Sequence, residues 1–274
     1  MSLFSVDQEK CDRDGICVAE CPARIIELNK KDPVPVPVES AEERCIVCGH
    51  CVAVCPHGAF SHRNLSPEQC MPIIADRELG PEQAEQFLRS RRSIRSYKNQ
   101  PVERSELEKL IQIACFAPSA VNQQPWRWLV IEDSSELQRL IGFIIEWMRG
   151  VLKENPQEAE ERGFLRILDA WEKGEERICR GAPHVIIAHS HEDWPWGLQD
   201  CTLAMEYIEL FAPSIGLGTC WGGYFYSAIN QYPPLYEALS LPSGHLVHGV
   251  MMVGYPRYKY KRLPQRNKPE VTFR

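Results

Sequence analysis

The chain has 274 residues, 44% of them apolar and 25% charged, with a formal net charge of −6. That balance is the one expected of a globular chain with a sizeable core, and the negative sign argues against nucleic acid as a main partner. No stretch approaches the roughly 18 uninterrupted apolar residues of a membrane span, and the opening MSLFSVDQEKC lacks a basic start followed by an apolar run. A cytoplasmic protein without a membrane partner is therefore the expectation.

The twelve cysteines crowd toward the front, with seven at positions 11, 17, 21, 45, 48, 51 and 55. In a cytosolic setting such clustering favours metal or redox roles over disulfides. The run CIVCGHCVAVCP supplies Cys45, Cys48, Cys51, Cys55 and Pro56. It resembles the C-x2-C-x2-C-x3-C-P pattern of bacterial two-cluster ferredoxins, in which the fourth cysteine ligates the other cluster. The earlier run KCDRDGICVAECP has Cys11, Cys17, Cys21 and Pro22 at an offset of 34 residues, with Asp14 where another sulfur is expected. The two runs resemble an internal repeat, and together an 8Fe ferredoxin domain.

That resemblance implies one 4Fe-4S cluster on Cys21, Cys45, Cys48 and Cys51. It implies a second, 4Fe-4S or 3Fe-4S, on Cys11, Cys17 and Cys55 with Asp14 at the fourth corner. Asp14 has two readings there, a harder carboxylate ligand or a labile corner. A zinc site would want two separated C-x2-C pairs closing one tetrahedron, which seven cysteines with prolines after both fourth members fit poorly. Between the runs, KKDPVPVPVES reads as an extended connector or edge segment, because alternating proline prevents a helix. His50 and His57 read as surface or surrounding residues, since thiolates already fill the sites.

Residues 1–64 thus form the expected ferredoxin-like domain, 65–86 a linker running into a helix, and 87–274 a second domain. In VERSELEKLIQIACFAP, Leu107, Leu110, Ile111, Ala114 and Ala117 follow helical spacing, and Pro118 ends it. RWLVIED reads as a strand and SSELQRLIGFIIEWMRGVL as a helix begun by a serine cap. Residues 156–181 read as charged and helical, ending at Gly181. HVIIAHS is a short strand, DCTLAMEYIELFAPSIGLG a buried helix closed by Gly216 and Gly218, and HLVHGVMMVGYP the last strong strand. The pattern predicts an α+β fold.

Four segments carry the remaining chemistry. RRSIRSY holds Arg91, Arg92, Ser93 and Arg95, either a solvated helix end or the arginine forks and hydroxyl that a phosphomonoester requires. APSAVNQQPWRW offers Pro118, Ser119, Asn122 and Gln124, and GLGTCWGGYF offers Cys220, Trp221, Gly222 and Gly223. The basic tail after Gly254 brings Lys261, Arg262 and Arg266. In this order the segments resemble the FMN-dependent nitroreductase family, over roughly residues 87–274.

The resemblance implies a mixed sheet flanked by helices and an intertwined homodimer with FMN at the interface. It implies that Arg91, Arg92, Ser93 and Arg95 hold the phosphate and ribityl end. Asn122, with Pro118, Ser119 and Gln124, would contact the ribityl chain or ring from the partner subunit. Cys220, Trp221, Gly222 and Gly223 would form the wall near the dimethylbenzene and N5 region, and Arg266, with Lys261 or Arg262, would return to the phosphate. No catalytic side chain is expected, because the flavin carries the chemistry. Cys220 reads as packed rather than redox-active, and His184, His189 and His191 lack a third ligand at metal spacing.

The expected function is an oxidoreductase that takes electrons from a ferredoxin-like or nicotinamide donor through iron–sulfur clusters and FMN. Its acceptor would be small and electron-poor, such as a nitroaromatic, quinone or enone. The alternative is an electron-transfer subunit or redox sensor without a substrate of its own. A nicotinamide donor is compatible with the absence of a G-x-G-x-x-G fingerprint, since family members can dock nicotinamide over the flavin without one.

Overall fold

The computed structural model describes residues 2–274. They divide into two compact units, Met1–Glu78 with Val121–Gln123, and Leu79–Ala120 with Gln124–Arg274.

In the first unit β1 (Phe4–Val6) pairs antiparallel with β4 (Phe60–His62), placing Phe4 opposite His62 and Val6 opposite Phe60. A second ladder joins β2 (Ile26–Glu27) to β3 (Val36–Pro37); the proline-rich connector thus acts as a short edge strand. Three small helices, α1 (Ile16–Glu20), α2 (Ala41–Arg44) and α3 (His50–Ala53), complete the unit. Its core is small, with Phe4, Ile25, Ile26, Val52 and Phe60 buried beside Cys17 and Cys21.

The repeat seen in the cysteines recurs in the backbone. Left-handed residues come in pairs with the same offset of 34: Arg13 and Val47, Gly15 and Gly49, Arg24 and Gly58. Gly15 and Gly49 each precede a short helix, α1 and α3, at φ 72° and 74°. A side chain disfavours that conformation, so glycine is suited to both turns.

The second unit is built on a four-stranded sheet in the order β5 (Arg127–Ile131), β6 (His184–His191), β8 (His245–Gly254), β7 (Gly218–Trp221). All three pairings are antiparallel, where the family resemblance implies a mixed sheet. The α+β class stands. Successive residues of a strand point to opposite faces, and β6 shows this directly. Val185 and Ile187 join one core cluster, Ile186 and Ala188 the other.

The first face is covered by α6 (Ser134–Glu154), α8 (Phe164–Glu172), α10 (Gly223–Gln231) and α11 (Pro233–Ala238). The other is covered by α5 (Arg104–Ala114) and α9 (Gly197–Phe211), through Leu107, Leu110, Ala204, Met205 and Ile208. Burying each such leucine or isoleucine contributes about 1.5–3 kcal/mol. The short α7 (Pro156–Glu161) and α8 are separated at Gly163, so the charged 156–181 region is two helices and a turn.

The cap of α6 differs from the serine reading. Asp133, one residue earlier, is the N-cap, and its Oδ1 accepts the Glu136 N–H at 2.8 Å. A carboxylate also complements the positive helix N-terminus. Helix α5 ends at Ala114, a turn before Pro118. Helix α4 (Pro81–Ser90) stops just before the RRSIRSY run, which carries no regular secondary structure up to the isolated bridge at Tyr97. No helix among the described residues is long and apolar enough to cross a membrane.

Candidate functional site

The eight cysteine-region candidates line two separate cavities in the first unit. Cys21, Cys45, Cys48 and Cys51 border one, together with Ile46, Val47 and His62. Cys11, Asp14, Cys17 and Cys55 border the other, together with Asp12, Gly15 and His57. Each cavity therefore draws three residues from one run and its fourth member from the other. Cys21 and Cys55 cross over because each ends the helical turn after its own run.

Among the described residues no group of three or more His, Cys, Asp or Glu is arranged to hold a single metal ion. Backbone amides reach both crossing sulfurs. Ile25 N–H donates to Cys21 Sγ at 3.5 Å, and Ala59 N–H to Cys55 Sγ at 3.2 Å. Burial first, then the neighbouring Asp14, pushes the Cys17 thiol up to about 11. Burial, then Cys48, pushes Cys51 up to about 12. Thiols held this way stay protonated until a cation displaces the proton, as metal binding to thiolates requires.

Asp14 has a local task as well. Its Oδ1 accepts the Ile16 N–H at 3.0 Å at the start of α1. His57 Nε2 lies 3.0 Å from Asp12 Oδ2 as an exposed pair.

His62 was not singled out by its sequence context. It is buried, its Nδ1 accepts the Asn64 N–H at 3.1 Å, and its Nε2 lies 3.6 Å from Cys45 Sγ. Because Nδ1 accepts, the ring proton of the neutral imidazole sits on Nε2, aimed at the sulfur. Burial, then Arg63, lowers the His62 pKa and favours this neutral form.

In the second unit the basic run lies along β7. Ile94 N–H donates to Thr219 O at 2.8 Å, and Tyr97 bridges Pro256. Gly218 permits the approach: a Cβ there would lie against Ile94 and 2.8 Å from Pro256 Cγ. Arg91 Nη1 donates to Glu209 Oε1 at 2.7 Å, and Trp221 Nε1 donates to Glu209 Oε2 at 3.2 Å. Glu209 is buried on α9, so it ties the run to the end of β7. Arg92 donates to the carbonyls of Arg89 and Arg91, and its Nε is buried without a partner. Ser93 hydrogen-bonds the Cys220 side chain; burial raises the Cys220 pKa, with Arg95 and Arg180 opposing.

Arg95 and Cys220–Gly223 line a cavity of about 390 Å³, also bordered by Arg162, Arg180 and Tyr224. Pro118, Ser119, Asn122 and Gln124 do not line it. Ser119 Oγ accepts the Gln124 N–H at 2.9 Å, and the Asn122 amide donates to the Ile46 and Val47 carbonyls at 3.2 and 3.0 Å. Val121, Asn122 and Gln124 all have positive φ. Lys261, Arg262 and Arg266 lie in the exposed tail and do not line the cavity either. Arg162, Arg180 and Glu209 were missed by sequence reading. A lone glutamate in the apolar stripe of α9 was the available signal for Glu209.

The chain joins a cysteine-rich unit with two cysteine-lined cavities to an α+β unit with an arginine run along its sheet edge. Residues 88–255 match the model of the nitroreductase family, and residues 3–56 match that of a 4Fe-4S dicluster domain. The chain belongs to the nitroreductase family, as an oxidoreductase carrying a ferredoxin-like iron–sulfur domain. It is 28% identical over 176 residues to a putative NADH dehydrogenase/NAD(P)H nitroreductase of Archaeoglobus fulgidus, covering 64% of this chain and 87% of that one. It is 26% identical to an iodotyrosine deiodinase of Thermotoga neapolitana, covering 68% and 94%. A crystal structure of a Bacteroides fragilis nitroreductase with bound FMN shares the fold, with a TM-score of 0.56, 21% identity and coverage of 70% and 97%.

Proposed function

We propose that this protein is an iron–sulfur flavoprotein that collects single electrons and delivers them in pairs to a small electron-poor acceptor. When bound, the clusters supply one-electron transfer and FMN supplies both one- and two-electron chemistry. The observation that carries the reading is that the eight residues implied by the ferredoxin resemblance line two cavities, four to each, in a chain whose other unit is a nitroreductase domain.

Cys21, Cys45, Cys48 and Cys51 would hold one cluster, and Cys11, Cys17 and Cys55 the other, with Asp14 at its fourth corner. In the second unit the orphaned Arg92 Nε and the Ser93 hydroxyl fit a flavin's phosphate and ribityl groups. Arg91 is held in place by Glu209, and Arg95 borders the cavity. Cys220–Gly223 form its wall. Lys261, Arg262 and Arg266 would add charge at the phosphate.

The Pro118, Ser119, Asn122 and Gln124 loop serves the pocket of a second copy, making the protein a homodimer. Supporting this, α9 presents Leu198, Leu203 and Tyr207 to solvent, and Phe116 beside the loop is 78% exposed. The adjoining cavity bordered by Arg166, Arg177 and Arg180, outside the flavin's own, supports an enzyme with its own acceptor over a pure carrier. The donor is a ferredoxin-like protein or a reduced nicotinamide.

The test is anaerobic purification, assay of iron, acid-labile sulfide and FMN, then reduction and stopped-flow mixing with a nitroaromatic and a quinone. The reading expects both cofactors and reoxidation by the small acceptors. Absence of either cofactor, or reoxidation by protein carriers but no small acceptor, sinks it.

A further inference from the structure

The cavity beside Cys220–Gly223 adjoins a second one of about 500 Å³, with Arg95, Arg180 and Tyr224 lining both. Arg166 and Arg177 border the outer cavity, and Arg162 the inner one. Five guanidinium groups therefore line the two adjoining cavities, against two carboxylates, Glu175 and Glu176.

Two of the five are paired. Arg162 bonds Glu158 at 2.8 Å and stacks 4.7 Å over both Trp147 and Phe164, so it is a fixed wall. Arg177 bonds Glu175 at 2.5 Å. The other acid there, Glu176, accepts the Cys179 and Gly181 N–H groups at 2.6 and 3.0 Å. Among the described residues no carboxylate pairs with Arg95, Arg166 or Arg180. The Glu176 bonds also hold the turn in which Arg180 and Gly181 take φ 57° and 76°. A non-glycine residue in that conformation is uncommon and persists where its surroundings hold it. Here the turn sets Arg180 on the wall shared by both cavities.

We propose that Arg166 and Arg180 form an oxyanion subsite in the outer cavity that grips a carboxylate or phosphate on the acceptor, while its electron-poor ring lies against the flavin proposed for the inner one. The acceptor class is thus a small aromatic or conjugated acid, not a neutral compound. Guanidinium forks suit both oxyanions, binding them in two-point contacts stronger than neutral hydrogen bonds. Arg95, between the two cavities, adds charge to both. This specificity rests on the reductase reading above, but its test reads binding and not turnover.

The oxidised holoprotein is titrated with 4-nitrobenzoate, 4-nitrophenyl phosphate and neutral 4-nitrobenzamide, following the flavin absorption spectrum. Wild type is expected to bind at least one of the two anions about tenfold or more tightly than the amide, and the better anion names the source. The Arg166→Gln/Arg180→Gln double variant should bring anion and amide within about threefold, with its FMN-to-protein ratio unchanged. Arg166→Gln alone, at an exposed position of α8, gives the same comparison if the double variant fails to fold. Equal binding of all three by wild type, no binding of any, or an unaltered anion preference in the variant overturns the subsite. Loss of FMN from the variant also overturns it, because the arginines would then hold the cofactor's own phosphate. Arginine-dependent anion binding by a protein that reduces no acceptor keeps the subsite and rejects the reductase. Reduction of acceptors regardless of their charge does the reverse.

Discussion

His62 supplies the sharpest prediction about the iron–sulfur unit. Its Nε2–H points at Cys45 Sγ from 3.6 Å, and its Nδ1 is occupied by the Asn64 N–H. Hydrogen bonds to ligating sulfurs are among the levers that set cluster potential. Reduction adds negative charge shared by the sulfur ligands, so a donor binds the reduced form more strongly and raises the potential. One such bond contributes about 1 kcal/mol. If that difference falls on one oxidation state of a one-electron couple, it corresponds to about 40 mV. His62→Phe keeps a ring in the core but removes the donor. It should lower the potential of the cluster proposed at Cys45 by roughly 40 mV and leave the one proposed at Cys11 in place, as followed by EPR during an anaerobic redox titration. His62→Gln, which retains an N–H donor, should recover part of the shift. A change under about 10 mV, or one confined to the other cluster, would refute the reasoning.

Three further outcomes follow from buried charge in the second unit. Glu209→Ala strands the Arg91 guanidinium and the Trp221 indole N–H, and should cost about 2–4 kcal/mol in urea unfolding, with Glu209→Gln costing about half. Loss below about 0.5 kcal/mol would mean that the pair is solvated and contributes little. Burial, then Glu209, raises the Glu206 pKa against the opposing Arg91; ionising it is harder in the native state than in the unfolded chain. Glu206→Gln should therefore raise the melting temperature at neutral pH, with the gain vanishing below the normal glutamate range near pH 4. Burial, then His245, pushes His189 down to about 4. The unfolded histidine takes up a proton near 6.5, so stability present above that pH is lost as pH falls toward 4. His189→Asn should flatten this part of the pH–stability curve, and an unchanged slope would assign the acid sensitivity elsewhere.

What sequence alone determined lies at short range. Cysteines two and three residues apart, with a proline after each fourth one, read as ligand runs because a turn places neighbours around a small inorganic core. The same holds for α5, whose stripe of Leu107, Leu110 and Ala114 shows its buried face directly, and for the apolar strand β6. The serine cap misread by one residue marks the limit of such local signals: Ser134 and Asp133 both suit the role, and in the fold the aspartate takes it.

Tertiary structure decided everything that depends on distant residues meeting. Arg91 and Glu209, 118 residues apart, pair because the arginine run crosses β7 beside α9. His62 meets Cys45 because β4 pairs with β1 next to the cysteine turn. Arg95, Arg166 and Arg180 share a cavity through an irregular run, a helix and a turn that share no period. Spacing encodes which side chains one turn brings together. Which turns then face one another is set by how two apolar faces of a single sheet are covered, and no local pattern records that.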